Sequence, residues 1–185
     1  DVFIYSEDDI LFSKKNFYYW MKFKDLCVKH NYNLGFIRAE KKSSNMLLYA
    51  SDITKKLSSY VLLEKVKFSV NDVNPYCAFW IYDKDVLSKW IESGFFNLKK
   101  VHGYKDKNSS LLRKLGLNNN ERLSYLVYNK KNKRIDSAME ASAYGLNYPK
   151  LNWYKQTLIE LENNKIVKDC KVYHLPNNYV NEDET

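Results

Sequence analysis

The sequence predicts a single α/β domain of alternating short strands and helices. Short apolar runs typical of strands alternate with longer segments whose apolar residues recur at helical spacing. The 185 residues, of which 45% are hydrophobic, are enough for one domain with a substantial core. Because no repeat and no stretch rich in Pro, Gly or Ser divides the chain, we interpret residues 1–185 as one domain.

The first predicted strand, Val2 to Tyr5, ends in three consecutive carboxylates, Glu7, Asp8 and Asp9. We expect this strand to be buried, and in α/β folds ligands bind at the carboxyl ends of strands. Clustered carboxylate oxygens at this place suit Mg²⁺ or Mn²⁺. The other interpretation is an acidic cluster that stabilises the N-terminus of the next helix. Since the chain opens with Asp1 inside this strand, we also expect an N-terminal portion to precede it.

The next part of the chain predicts a helix followed by several strands. The helix begins near Ser13 and places its apolar residues on one face. A turn at Gly35 separates it from the strands. Residues 66–70 alternate between polar and apolar, which predicts a half-exposed strand. Two further strands are predicted at residues 36–39 and 46–50.

A nearly continuous apolar and aromatic run at residues 76–82 predicts a buried strand. Asp83 is a candidate N-cap for the helix that follows, and Gly94 is placed to end that helix. Trp80 and Tyr82 could form a stacking platform for a sugar ring. Aromatic residues at this spacing are more often part of the core, so both interpretations stay open.

The last part of the chain predicts a helix at residues 134–146 and strands at residues 157–161 and 171–175. Glu140 lies on the predicted helix among small residues, which leaves room for a ligand to approach its carboxylate. His174 lies where the last strand ends, a position from which it could bind metal or phosphate. The alternatives are an ordinary exposed glutamate and a structural histidine. The small residues are Ser137, Ala138, Ala141, Ser142 and Ala143.

Charge and cysteine content exclude several classes of protein. The formal net charge is +8, but the lysines are spread along the chain and the dense basic run is confined to residues 130–134, so we expect no nucleic-acid polymer as partner. No run of about eighteen apolar residues predicts a membrane span. Three cysteines without CxxC spacing argue against a disulfide framework and a zinc site, and favour reduced, buried thiols of the cytoplasmic type: Cys27, Cys77 and Cys170.

The order of these motifs resembles the metal-dependent glycosyltransferases of the GT-A fold. In that superfamily an acidic motif at a strand end, usually written DxD, binds a divalent cation that bridges the diphosphate of a nucleotide sugar. Residues 5–10, with Glu7 and Asp9 at the outer positions, look like this motif. The resemblance implies that Glu7, Asp8, Asp9 and His174 bind Mn²⁺ or Mg²⁺. It also implies that Glu140 is the general base of an inverting enzyme.

The resemblance further implies a fold, a reaction and two minor sites. The fold would be a GT-A-like mixed sheet that lacks part of its N-terminal nucleotide-binding half, so activity is expected of the longer protein. The reaction would move a sugar from a nucleotide-sugar donor to a hydroxyl of a glycan or other acceptor. Lys133 and Arg134 would assist the diphosphate, and Trp80 and Tyr82 would lie on the acceptor side, although the glycine often found at residues 74–80 is absent.

Two other functions compete with the transferase. Sixteen tyrosines and four tryptophans would also suit a non-catalytic carbohydrate-binding or interaction module. A basic nucleic-acid-binding domain would explain the net charge, but the acidic triplet would repel a polyanion unless a metal intervened. Both rivals leave the acidic triplet unexplained.

Overall fold

The computed structural model describes residues 1–42, 48–50, 53, 56–71, 73–92 and 157–176. Within these ranges neither helix is long and apolar enough to cross a membrane. The elements in chain order are β1 (Val2–Ser6), β2 (Ile10–Leu11), α1 (Lys14–Lys29), β3 (Asn33–Leu34), β4 (Ile37–Lys41), β5 (Leu48–Ala50), β6 (Tyr60–Leu63), β7 (Val66–Asn71), β8 (Phe79–Asp83), α2 (Lys84–Glu92), β9 (Thr157–Glu162), β10 (Lys165–Ile166), a 3₁₀ turn (Lys168–Cys170) and β11 (Lys171–His174).

The described strands form three sheets. The largest has the order β10-β9-β7-β6, with β3 pairing in parallel with β9. A second sheet has the order β2-β11-β4-β5, in which β11 and β4 are parallel and the other pairs antiparallel. Strands β1 and β8 form an antiparallel ribbon. The predicted α/β class, with parallel and antiparallel pairs mixed, is therefore confirmed.

Helix α1 packs its apolar face into the core, and its first turn is hydrogen-bonded to the second sheet. Its start is a capping box, in which Asn16 N–H donates to Ser13 Oγ at 3.4 Å and Ser13 N–H donates to Asn16 Oδ1 at 2.8 Å. The Asn16 amide also donates to the carbonyls of Asp169 and Lys171, at 2.7 and 2.8 Å. One buried side chain therefore fixes the helix start against the beginning of β11. The buried apolar face contains Tyr19, Trp20, Phe23 and Cys27.

Replacing Asn16 with Ala is expected to lower the free energy of unfolding by about 2–4 kcal/mol, because it removes half of the capping box and the hydrogen bonds to the carbonyls of Asp169 and Lys171. Replacing Ser13 with Ala is the matched control, since it removes the cap alone and is expected to cost about 1 kcal/mol. Urea unfolding of the two variants measures both values. Equal losses would mean that the bonds from Asn16 to the β11 segment contribute nothing.

The apolar side chains form two clusters. The larger lies between α1 and the sheets and contains fully buried side chains of β7 and β9, among them Phe68, Leu158 and Ile159. The smaller consists of Tyr82, Val86 and Trp90 from β8 and α2. The three cysteines are buried and free, as predicted, and burial raises the pKa of the Cys27 thiol to about 12. A protonated thiol of this kind packs as a small apolar side chain.

Helix α2 begins where the sequence predicted. The backbone N–H of Val86 donates to Asp83 Oδ1 at 3.0 Å, which confirms Asp83 as the N-cap. Burial alone would raise the pKa of Asp83, but this hydrogen bond and the Lys24 ammonium, 3.0 Å from Asp83 Oδ2, lower it instead. The same ion pair joins α1 to the end of β8.

Burial of two strands differs from the prediction. The expectation that β1 is buried is wrong, because Val2, Phe3 and Ile4 are 39–49% exposed. In the described part of the chain β1 pairs with β8 alone, and a two-stranded ribbon leaves much of its surface open. The expectation that residues 66–70 are half exposed is also wrong. Ser69 is buried together with Phe68 and Val70, so both faces of this end of β7 are covered.

Candidate metal-binding site

His174 lies between two carboxylates. Its Nε2 is 3.0 Å from Asp9 Oδ2, and its Nδ1 is 2.6 Å from Glu40 Oε1. The His174 and Glu40 side chains are 5% and 0% exposed, whereas the Asp9 side chain is 36% exposed. The site therefore runs from a buried carboxylate, through an imidazole, to a carboxylate that solvent can reach.

Strand pairing places the three side chains. β11 is the inner strand between β2 and β4, and His174 is in register with Ile10 on β2. On the other side Tyr173 is in register with Ala39 of the parallel β4, so the next residues along the two strands are His174 and Glu40. The N–H of Leu175 donates to the carbonyl of Asp9 at 3.0 Å and extends the β2 pairing past Asp9.

Glu7 is held on a neighbouring loop. Its Oε1 accepts a hydrogen bond from the Tyr76 hydroxyl at 2.9 Å, and its backbone N–H donates to the carbonyl of Ala78 at 3.0 Å. The Arg38 guanidinium, which is buried, lies over the Tyr76 ring at 5.3 Å from its centroid. Burial and the negative charge of Glu7 raise the pKa of Tyr5 to about 12. Glu7 therefore belongs to the same end of the structure as Asp9 but faces Tyr76.

Three carboxylates, those of Glu7, Asp9 and Glu40, lie at this end of the structure. The Arg38 guanidinium lies over the ring of Tyr76, whose hydroxyl donates to Glu7. Asp9 Oδ1 is inaccessible to solvent and has no hydrogen-bond partner within the described residues. Buried carboxylate oxygens are costly unless a donor or a cation satisfies them. A divalent cation that both oxygens of the Asp9 carboxylate bind would satisfy Oδ1.

The Asp9–His174 pair fits a divalent cation in an open site. Two neighbouring ligands of an octahedral ion with bonds of about 2.1 Å lie about 3.0 Å apart, which matches the observed separation of 3.0 Å between Nε2 and Oδ2. The residues that the structure covers contain no group of three or more His, Cys, Asp or Glu side chains able to hold a metal ion. Asp9 and His174 would therefore supply two ligands to an ion, and its other ligands would have to come from elsewhere.

Of the four predicted metal ligands, the structure brings Asp9 and His174 together. Glu7 bonds to Tyr76, and Asp8 is exposed next to the site. Glu140, the predicted base, and Lys133 and Arg134, the predicted diphosphate contacts, lie outside the described residues. The catalytic and diphosphate roles stay predictions.

The two predicted acceptor-side aromatic residues differ in exposure. Trp80 is partly exposed and stacks between Tyr5 and Tyr82, with ring centroids 5.9 and 4.7 Å away. Tyr82 is buried and its ring also contacts Trp90. If Trp80 contacts an acceptor, it does so with the exposed part of its side chain. The buried Tyr82 ring packs against Trp80 from the core.

Sequence reasoning missed three residues of this site: Arg38, Glu40 and Tyr76. Arg38 and Glu40 are charged residues at alternate positions of one strand, beside the buried Ile37 and Ala39. Charged side chains that are fully buried in a strand are rare without a partner. An alternating charged pair inside an otherwise apolar strand was therefore the signal available for them.

Comparison with protein-family models, with curated proteins and with solved structures found no significant match to this chain. The function must therefore be argued from the residues of the site and their geometry.

Proposed function

We propose that this chain carries the metal-binding site of a glycosyltransferase with a GT-A-like fold. The proposed reaction moves a sugar from a nucleotide-sugar donor to an acceptor hydroxyl, with Mn²⁺ or Mg²⁺ as cofactor and Glu140 as general base. The observation that carries the proposal is the 3.0 Å contact between Asp9 and His174, which are 165 positions apart in the chain. A carboxylate from the acidic motif and the late histidine are the two groups that the resemblance pairs at a metal.

Asp9 and His174 are the residues proposed to hold the ion. A nitrogen ligand beside a carboxylate favours Mn²⁺ over Mg²⁺, because Mg²⁺ strongly prefers oxygen. When bound, the ion stabilises the negative charge that develops on the leaving diphosphate. Glu7 and Asp8 add negative charge at the same strand end, so they favour a cation there even without direct contact.

Glu140 is the proposed general base, which accepts the proton of the acceptor hydroxyl as the new bond forms. Such proton transfer typically contributes about 10²–10⁴-fold to the rate. Its small neighbours on the predicted helix leave room for an acceptor, and Lys133 and Arg134 are proposed to face the diphosphate. The inverting outcome depends on this role of Glu140.

The first experiment measures Mn²⁺ binding by calorimetry with and without a nucleoside diphosphate or inorganic pyrophosphate. If the ion bridges protein and diphosphate, each ligand must raise the affinity for the other by the same factor. Transfer or hydrolysis of a panel of nucleotide sugars is then assayed with Mn²⁺ and with EDTA. Mn²⁺ and pyrophosphate that bind independently, or not at all, would contradict the proposal.

Replacing Glu140 with Gln separates chemistry from binding. The variant is expected to bind Mn²⁺ and nucleotide diphosphate like the unmodified chain and to lose turnover by about 10²-fold or more, because the amide accepts no proton. Calorimetry and the transfer assay give the two readouts. If the variant bound the donor less well but turned over each bound donor at the rate of the unmodified chain, Glu140 would have a structural role.

A second candidate is a carbohydrate-binding module without catalysis. The partly exposed Trp80 ring, which stacks with the rings of Tyr5 and Tyr82, favours it. This candidate requires glycan binding that survives EDTA, needs no nucleotide and is lost in Trp80→Ala. Calorimetry with a glycan as the titrant, with and without EDTA, therefore distinguishes the two functions.

A further inference from the structure

Glu40 is the most deeply buried charged side chain near the site. Its side chain is 0% exposed, and its Oε1 lies 2.6 Å from His174 Nδ1. A buried carboxylate carries a large desolvation cost and is retained in proteins when it has specific partners. Its place on β4, directly beside the end of β11, makes His174 one of those partners. Because of this desolvation cost, stability alone does not explain a carboxylate at position 40.

The hydrogen bond to Glu40 determines which nitrogen of His174 faces the Asp9 side. Nδ1 and Glu40 Oε1 share one hydrogen bond, and a carboxylate at Nδ1 favours the ring form that carries a proton there. Nε2 is then the ring atom directed at Asp9 Oδ2, 3.0 Å away. A cation bound by both atoms would take the place of the hydrogen bond between them.

We propose that Glu40 is a positioning residue for the metal site: it fixes the tautomer and orientation of the His174 ring and makes Nε2 a stronger ligand. The inference rests on the proposed metal-binding function and assigns a residue to it. In metal sites a ligating histidine almost always donates its second N–H to a carboxylate, carbonyl or water, and loss of that partner typically costs about 10–100-fold in affinity. Glu40 touches neither the ion nor a substrate and acts through His174.

The test compares Glu40→Gln, Glu40→Leu and the control Glu160→Gln. A glutamine keeps an acceptor for Nδ1–H but removes the charge, whereas leucine removes both. Glu160 is a matched control because it lies on β9, in a different sheet. We expect the dissociation constant for Mn²⁺ to rise about tenfold in Glu40→Gln and about 100-fold in Glu40→Leu, and to stay unchanged in Glu160→Gln. Calorimetry or electron paramagnetic resonance of Mn²⁺ measures it.

A second readout needs no metal. Nitrogen-15 NMR of the imidazole in the metal-free full chain reports which nitrogen of His174 carries the proton. We expect a protonated Nδ1 in the unmodified chain and in Glu40→Gln, and loss of this preference in Glu40→Leu. A His174 ring whose proton is on Nε2 alone in the unmodified chain would overturn the inference, even if Glu40→Leu failed to fold.

The outcomes separate this inference from the proposed function. Unchanged Mn²⁺ affinity in Glu40→Gln and Glu40→Leu, together with lost affinity in Asp9→Asn, would overturn the role of Glu40 and leave the metal site standing. Absence of Mn²⁺ binding in the unmodified chain would overturn the metal site itself. A dissociation constant for Mn²⁺ that rises from the unmodified chain to Glu40→Gln, and again to Glu40→Leu, is the result that supports Glu40 as a positioning residue.

Discussion

Replacing Asp9 with Ala is expected to weaken Mn²⁺ binding by more than about 100-fold, because loss of a direct ligand should cost at least as much as loss of its outer partner. Metal-dependent transfer should disappear with it. Stability should change little, about 1 kcal/mol or less, since ion pairs of partly exposed side chains contribute little and the Asp9 side chain is 36% exposed. Calorimetry with Mn²⁺ and thermal unfolding measure the two effects.

Asp25→Ala is the matched control for Asp9→Ala. Asp25 is an aspartate on α1 whose side chain is 83% exposed, and it pairs with Lys24 rather than with any residue of the site. This control is expected to keep both Mn²⁺ affinity and stability. Mn²⁺ affinity that survives in Asp9→Ala would remove Asp9 from the metal site and leave its contact with His174 as an ordinary ion pair.

Local sequence marked Asp9 and His174 separately as candidates, but their pairing was expected from the resemblance, because β2, which follows Asp9 and pairs with β11, was not predicted. An apolar run followed by carboxylates locates Asp9, and an alternating run followed by Pro176 locates His174. Glu40 was not predictable in the same way, because its burial results from parallel pairing of β4 with β11, 134 positions later in the chain. A single sequence indicates strands but not their neighbours.

The same reason explains the errors in burial and the missed strands. The apolar residues of β1 suggested a buried strand, yet burial depends on which layers cover it, and that is a tertiary property. The strand β6 was missed because its hairpin with β7 turns through Glu64 and Lys65, which are not typical turn residues. Glu64 adopts a positive φ of 54°, a conformation usually left to Gly or Asn. Helix α1, by contrast, is specified locally by its cap and its apolar face.

Gly35, the one glycine within the described residues, has no room for a side chain. Its N–H donates to the carbonyl of Leu158 at 2.7 Å, which draws the chain after β3 against β9. A Cβ at this position would lie 1.3 Å from Thr157 Cγ2. The Tyr19 hydroxyl spans the same junction, because it donates to the Gly35 carbonyl at 3.5 Å and accepts from the Glu160 N–H at 3.2 Å. The backbone at Gly35 therefore cannot shift without breaking several hydrogen bonds.

Replacing Gly35 with Ala is accordingly expected to destabilise the fold by about 3 kcal/mol or more, at the upper end of the cost of overpacking. Urea unfolding measures the loss. A double-mutant cycle identifies the cause: in a Thr157→Gly background the clashing side chain is gone, so the added cost of Gly35→Ala should fall below about 1 kcal/mol. An equal cost in both backgrounds would show that the loss arises from the conformation of residue 35 and not from its contact with Thr157. The contact also matters for the site, because β3 follows α1 directly and Gly35 connects it to β4, the strand that carries Glu40.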